Sequence, residues 1–247
     1  MTEVQQSVLK IQQIEKFYHN LFVKTQVEDF TDIIGEWKLP YKQVVDIGGG
    51  CDFFANALAQ QLELHTKVID TDSASIAACA IIGVSAEIGD ALNPTQHGDE
   101  DIVCFNFILH HLAASSDFET AALQKRALDV WIDKAEAFFI NEYVYDSYIR
   151  NVSGWLIYQI TSSKVLSALC QVVAQFVPSL RANTFGTGVR FRADQEWVNM
   201  FDHWGFRVAA HRRGREEYVS LPCWMLLIKS CRRDSYLLVP KLKMEAV

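Results

Sequence analysis

The stretch Lys42–Leu58, KQVVDIGGGCDFFANAL, decides how this chain is read. Val44, Val45 and Ile47 form an apolar run interrupted by Asp46. Three glycines, Gly48, Gly49 and Gly50, follow, and an alanine-rich segment with helical spacing begins behind them. That is the pattern of a strand, a tight turn and a helix. Glycine permits positive φ and puts no Cβ in the way of a ligand, and a helix N-terminus presents N–H groups with no partner in the helix. The turn is therefore a candidate nucleotide cradle.

Downstream the same grammar repeats. Thr66–Asp70 reads as a second strand ending in an acid, Ser73–Ile82 as a helix, and Val84–Ile88 as a third strand running into Gly89-Asp90-Ala91. Asp101–Ile108, DIVCFNFI, is a near-continuous apolar run of the kind expected for a strand covered on both faces. Phe118–Ala135 is read as a long helix and Ala137–Val144 as a fifth strand. Strands alternating with helices at this spacing predict a doubly wound, mostly parallel α/β sheet. Asp194–Trp204 is a further amphipathic helix, and Phe206–His211 with Cys223–Cys231 would close the sheet at seven strands as an antiparallel pair. The residues after Asp234 read as a short, poorly ordered tail.

Upstream, Thr2–Phe22 has helical periodicity. Phe30, Ile33, Ile34 and Trp37 then mark a second short helix closed by Pro40. These predict a helical cap over residues 1–40 on a main domain of residues 41–247. Within that domain the interval 145–188 breaks the rhythm with aromatic and apolar residues up to Pro178 and a loop to Gly188. It reads as a lid or substrate-pocket insertion, with an ordinary packing helix as the alternative.

A length of 247 residues suits one α/β domain. A net charge of −7 with scattered basic residues argues against a nucleic-acid substrate, which calls for a basic face. The six cysteines show no C-x-x-C and no metal-ligand spacing with histidine, so they read as thiols in a reducing compartment. The polar, amphipathic start and the absence of an apolar run of about 20 residues predict a cytoplasmic protein with no leader and no membrane span.

A dinucleotide fingerprint needs a third glycine where this chain has Phe53. What the chain offers instead is Asp46 two residues before Gly48, an acid that would repel a diphosphate and attract a cationic ligand. Asp46-Ile47-Gly48-Gly49-Gly50-Cys51-Asp52, then Asp70 within KVIDTD, Asp90 within IGDAL, and the segment DIVCFNFILHHL together resemble the class I S-adenosylmethionine-dependent methyltransferases. Asp52 stands where that family carries a final glycine.

The resemblance implies S-adenosyl-L-methionine as cofactor, bound by Asp46, Gly48, Gly50, Asp70, Thr71, Asp90, Ala91 and Asn106. Asp70 would accept the ribose hydroxyls and Asp90 the adenine amino group. It further implies methyl transfer by in-line displacement to a small, apolar or aromatic metabolite held at the carboxyl ends of strands four and five. His111 is the candidate general base, because an imidazole titrates near neutrality, with His110 ranked below it. Glu142 and Tyr143 would face the same crevice, and Tyr143, Trp155 and Arg190 are candidate acceptor contacts. Two rivals stay open: non-methylating chemistry on the same cofactor fold, and a non-catalytic cofactor-binding assembly partner. The oligomeric state is open as well, a homodimer being one outcome.

Overall fold

The computed structural model describes residues 20–37, 42–50, 53–98, 100–176 and 188–244. The expected N-terminal helix up to residue 19, Pro40, Cys51, Asp52 and positions 177–187 of the expected loop lie outside the described residues. Helix α1 (Asn20–Trp37) precedes β1 (Gln43–Ile47), α2 (Phe53–Leu62), β2 (His65–Asp70), α3 (Ser73–Ile82), β3 (Ser85–Ile88) and β4 (Ile102–Asn106). There follow α4 (Asp117–Asp129), β5 (Ala137–Ser147), α5 (Val152–Ser162), α6 (Lys164–Phe176), α7 (Asp194–His203), β6 (Phe206–Arg212), α8 (Leu221–Met225) and β7 (Ile228–Pro240).

The seven strands form one sheet in the order β3-β2-β1-β4-β5-β7-β6. Strands β1 to β5 are parallel, and β7 runs antiparallel between β5 and β6. The chain winds outward from β1 through β2 to β3, then crosses back to place β4 on the other side of β1. That reversal opens a crevice at the carboxyl ends of β1 and β4, where open α/β sheets hold their ligands.

Each face of the sheet is covered, which is why the strands read as continuous apolar runs. On one face Val45, Ile47, Phe105, Phe138 and Tyr236 pack against Trp131, Trp197 and Phe201. On the other, Val44, Cys104, Phe139 and Leu237 meet Phe30, Ile33 and Ile34 of α1 together with Phe54 and Leu58 of α2.

Two expectations are corrected here. The second N-terminal helix is not short: α1 runs unbroken from Asn20 to Trp37 and takes in Asn20–Phe22, which the periodicity assigns to the end of the first. The last strand is longer and later than Cys223–Cys231: residues 221–225 are the short helix α8, and β7 continues to Pro240 with Tyr236, Leu237 and Leu238 fully buried. Arg232 and Asp234 made this strand resemble a polar chain end. They are instead a buried pair, Arg232 Nε lying 3.0 Å from each Asp234 carboxylate oxygen. Asp146 on the neighbouring strand also accepts from the Arg232 guanidinium.

Candidate active-site crevice

The glycine turn is held by contacts its sequence encodes. Gly48 and Gly50 adopt φ of 67° and 59°, in the left-handed region that favours glycine. A Cβ on Gly49 would come within 2.6 Å of Asp46 Oδ2, and one on Gly48 within 2.8 Å of Ile108 Cδ1, so the turn is pressed onto the strand ends. A Cβ on Gly50 would meet nothing within 4 Å. Backbone N–H of Gly48 donates to Ile69 O at 2.7 Å, fixing the turn against β2.

Three acids stand at the ends of the first three strands. Asp46, buried in β1, accepts from Asn106 Nδ2 at 2.9 Å, which ties the ends of β1 and β4 together. Asp70, the last residue of β2, accepts the Gly50 N–H through Oδ2 at 2.9 Å and the Asp72 N–H through Oδ1 at 2.8 Å. Each carboxylate oxygen keeps a further lone pair for a ligand hydroxyl. Asp72 in turn caps α3, accepting from Ala74 N and Ser75 N, and these hydrogen bonds with the Ser75 hydroxyl hold its carboxyl below the usual range against the opposing pull of desolvation. Asp90 follows β3, is exposed, and accepts from Leu92 N at 2.9 Å, forming the turn that carries the buried Ala91. Thr71 is exposed beside Asp70.

Across the crevice the exit from β4 is built on Glu142. This side chain is fully buried, and its Oε1 accepts from Leu109 N at 2.7 Å and His110 N at 3.4 Å, while Oε2 lies 2.6 Å from His110 Nδ1. A carboxylate already receiving two backbone N–H groups is an acceptor, so Nδ1 donates and Nε2 is left as the basic atom of the ring. The His110 ring stacks on Phe191 with centroids 4.7 Å apart and stands edge-on to Tyr143 at 6.2 Å. Phe107 approaches Tyr143 at 5.0 Å, and Tyr145 approaches Phe191 at 4.4 Å. An aromatic wall thus lines the ends of β4 and β5. Arg190 N donates to His110 O at 2.9 Å and Tyr145 N to Arg192 O at 3.0 Å, which brings Phe191 into that wall.

Helix α1 is tied to the same edge by a polar chain. Gln26 Nε2 donates to Asn141 Oδ1 at 3.1 Å, Asn141 Nδ2 to Ser235 Oγ at 2.7 Å, and Ser235 Oγ to Asp29 Oδ2 at 2.6 Å. Burial raises the Asp29 carboxyl above its ordinary value despite that hydrogen bond. Because Asn141 lies beside Asn106 at the end of β4, α1 reaches the crevice at its N-terminal half.

No family model matches the chain, and no curated protein matches its sequence. Solved structures do match its shape. An S-adenosylmethionine-dependent methyltransferase from Clostridium acetobutylicum superposes with a TM-score of 0.60 at 10% identity, covering 93% of this chain and 98% of that one. One from Geobacter sulfurreducens, in complex with S-adenosyl-L-homocysteine, gives 0.55 at 11% identity, covering 96% and 100%. The magnesium protoporphyrin IX methyltransferase of Synechocystis, with S-adenosylhomocysteine bound, gives 0.50 at 14%, covering 96% and 90%. The fold is that of class I methyltransferases.

In this fold Asp46, Gly48, Gly50, Asp70, Asp90 and Asn106 all lie at or next to the carboxyl ends of β1 to β4, Asp70 and Asn106 being tied to the glycine turn and to Asp46, respectively, by hydrogen bonds. The acceptor-side expectations fare differently. Tyr143 stands in the aromatic wall, but Glu142, its neighbour in a strand, points to the opposite face and lies beneath the β4 exit. Trp155 is 47% exposed on α5 and faces solvent. Arg190 is buried and spent on Asp117 at 2.8 Å and Glu196 at 2.9 Å, so it has no free edge for an acidic acceptor. Desolvation, with a smaller push from His110, drives the His111 imidazole down to about 3. It is neutral through the physiological range and a weak proton acceptor, whereas a general base works best with a pKa near the working pH.

This gives a pH dependence with a definite sign. An unfolded histidine takes up a proton near its model value of 6.5, while folded His111 does so only near 3. Its contribution to stability is complete above pH 6.5 and is lost as the pH falls from there toward 3. Thermal unfolding of His111→Gln is expected to fall less steeply over that window than wild type. Equal slopes would show that His111 titrates normally.

Phe107, Tyr145 and Phe191 have no signal in the sequence strong enough to place them in the crevice. Elsewhere, Asp194, His211 and Asp234 are the group with metal-ligand proximity among the described residues. The Arg232 guanidinium lies 3.7 Å from Asp194 as well as against Asp234, and the Tyr236 hydroxyl and Gly214 N–H donate into the group, so a cation of the chain already serves it. An open recess of about 390 Å³ between Arg150, Asn151 and the outer side of α7 includes none of the crevice residues.

Proposed function

We propose that the protein transfers the methyl group of S-adenosylmethionine to a small apolar or aromatic acceptor. The supporting observation is the placing of Asp46 and Asp70 at a turn left open at Gly50, with Asp90 at the end of the next strand out and an aromatic wall across the crevice. The donor set suits the cofactor: Asp70 for the ribose hydroxyls, Asp90 with Ala91 for the adenine edge, and the Gly48–Gly50 backbone beside the methionine part, with Asp46 complementing positive charge. When bound, the cofactor supplies a methyl group on an already activated sulfonium carbon.

The chain's own tasks are then alignment and proton removal. Phe107, Tyr143, Tyr145 and Phe191 offer flat apolar surface on which an aromatic acceptor stacks. Orientation of this kind can supply up to ~7–11 kcal/mol. For an acceptor that must lose a proton, His110 is the base, with Glu142 holding Nδ1–H so that the Nε2 lone pair is the free one. This replaces the role expected for His111. The helices of 145–188 and α1 form the walls of the entry.

Calorimetric titration with S-adenosylmethionine and S-adenosylhomocysteine is expected to show one site for each. Absence of binding by either would defeat the reading at its base. Turnover is expected to raise the acceptor's mass by one methyl group and to release S-adenosylhomocysteine; consumption of cofactor without that mass change would point to other chemistry.

A further inference from the structure

Helix α6 is built inside out. Val165, Ala168, Leu169 and Val172 recur at the i, i+3, i+4, i+7 spacing of an apolar stripe, yet all four are exposed, at 71%, 59% and 55% for Val165, Leu169 and Val172. Among the side chains of α6 that the structure describes, the buried one is the polar Ser167, donating to Ile160 O and Thr161 O. The stripe does not stand alone. Trp155 is 47% exposed on α5, which packs on α6, and Tyr148 N donates to Leu227 O at 3.0 Å, bringing exposed Tyr148 and Ile149 beside exposed Trp224 and Met225. Exposed apolar residues on α6, on α5 packed against it and on the two segments joined at Tyr148 and Leu227 mark an interaction site.

Charge says what sits there. The chain carries 30 acidic residues against 23 basic ones, yet none of the acids falls between Ser147 and Ala193 or between Tyr218 and Cys231. The exposed cations of these segments, Arg150, Lys164 and Lys229, take part in no ion pair among the described residues, whereas Arg212, Arg213 and Arg233 each have an acidic partner. A second copy seated by two-fold symmetry would bring these acid-free segments and their cations against themselves, with no anion of their own to answer them. An anionic bilayer answers both features at once: headgroup charge meets the cations, and the acyl boundary receives the stripe and the two tryptophans. Among the described residues no helix is long and apolar enough to cross a membrane, so the contact is with the surface.

We propose that the α5–α6 face, with α8 beside it, docks the protein peripherally on an anionic lipid surface. Flotation of the full chain with vesicles of phosphatidylcholine mixed with phosphatidylglycerol tests this, with pure phosphatidylcholine vesicles alongside. The expected result is binding to the mixed vesicles, weakened by salt, and much less to the neutral ones. Leu169→Glu/Val172→Glu, both at exposed positions, is expected to lower the vesicle partition constant at least about tenfold with an unchanged unfolding midpoint. Should that variant unfold, Arg150→Glu/Lys164→Glu serves as the second, expected to abolish the preference for anionic vesicles. No vesicle binding, equal binding to neutral and anionic vesicles, or insensitivity to both variants would each overturn the proposal. So would a wild-type dimer in sedimentation equilibrium that Leu169→Glu/Val172→Glu turns into monomer, because the occupant would then be a second copy.

Discussion

Asp70→Ala is expected to weaken S-adenosylhomocysteine binding by about 1.5–3 kcal/mol, roughly one to two orders of magnitude in Kd. The size follows from two losses in one substitution. The proposed ribose hydroxyls lose a charged acceptor, and the Gly50 and Asp72 N–H groups lose the carboxylate that ties the glycine turn to the end of β2. Both donors lie near solvent and can turn to water, so the fold should tolerate the change. Asp70→Asn separates the contributions. It keeps one oxygen for one backbone N–H but loses the charge and the second acceptor, and should fall between alanine and wild type. Titration calorimetry reads both, with thermal unfolding as the control. An unchanged Kd for a folded Asp70→Ala would take Asp70 out of the site and leave its role as a brace of the turn.

How far the sequence reaches depends on how local the deciding contacts are. The positions of Asp46, Asp70 and Asp90 could be read because each sits in or just past an apolar run whose period is visible within a few residues. Their convergence follows from the parallel order of β1, β2 and β3. Strand β7 could not be bounded that way, since its apolar half lies behind Arg232 and Asp234, whose charges cancel against each other and against Asp146 on β5. Arg190 offered the same ambiguity in reverse. It looked available to a ligand until Asp117, some seventy residues earlier in the chain, and Glu196 were brought to it. Composition in 145–188 announced helices but not which way their apolar residues point, and the stripe of α6 faces outward.

The acceptor side shows the limit most clearly. His110 and His111 are adjacent and chemically identical in sequence, and nothing local separates them. The fold does so by giving one of them a carboxylate from 32 residues away and leaving the other half-buried against the ring of the first. The two histidines therefore differ in environment through Glu142, and under the proposed function that contact is what leaves the His110 Nε2 lone pair as the one able to take a proton.

Glu142 is accordingly where the largest effect should fall. Alanine there leaves the Leu109 and His110 N–H groups and the His110 ring proton without their acceptor in the interior, and opens a cavity as well. Breaking a buried, charged hydrogen-bonding site from one side costs about 3–5 kcal/mol, which for a chain of this size lowers Tm by roughly 6–20 °C. Glu142→Gln preserves the volume and still accepts from Leu109 N, so most of that stability should return. Its amide, however, presents N–H to Nδ1, which must then accept, and the ring proton moves to Nε2. Nitrogen-15 spectra of the imidazoles are expected to show this exchange of tautomers at His110 while His111 is unaffected. With an acceptor in hand, His110→Gln and Glu142→Gln should lower kcat by about 10²–10⁴, the range a general base contributes, while S-adenosylhomocysteine affinity stays near wild type. A Glu142→Gln protein that keeps its fold, exchanges its tautomer and turns over at the wild-type rate would leave the pair as a structural clamp on the β4 exit and return the search for the base to the acceptor itself.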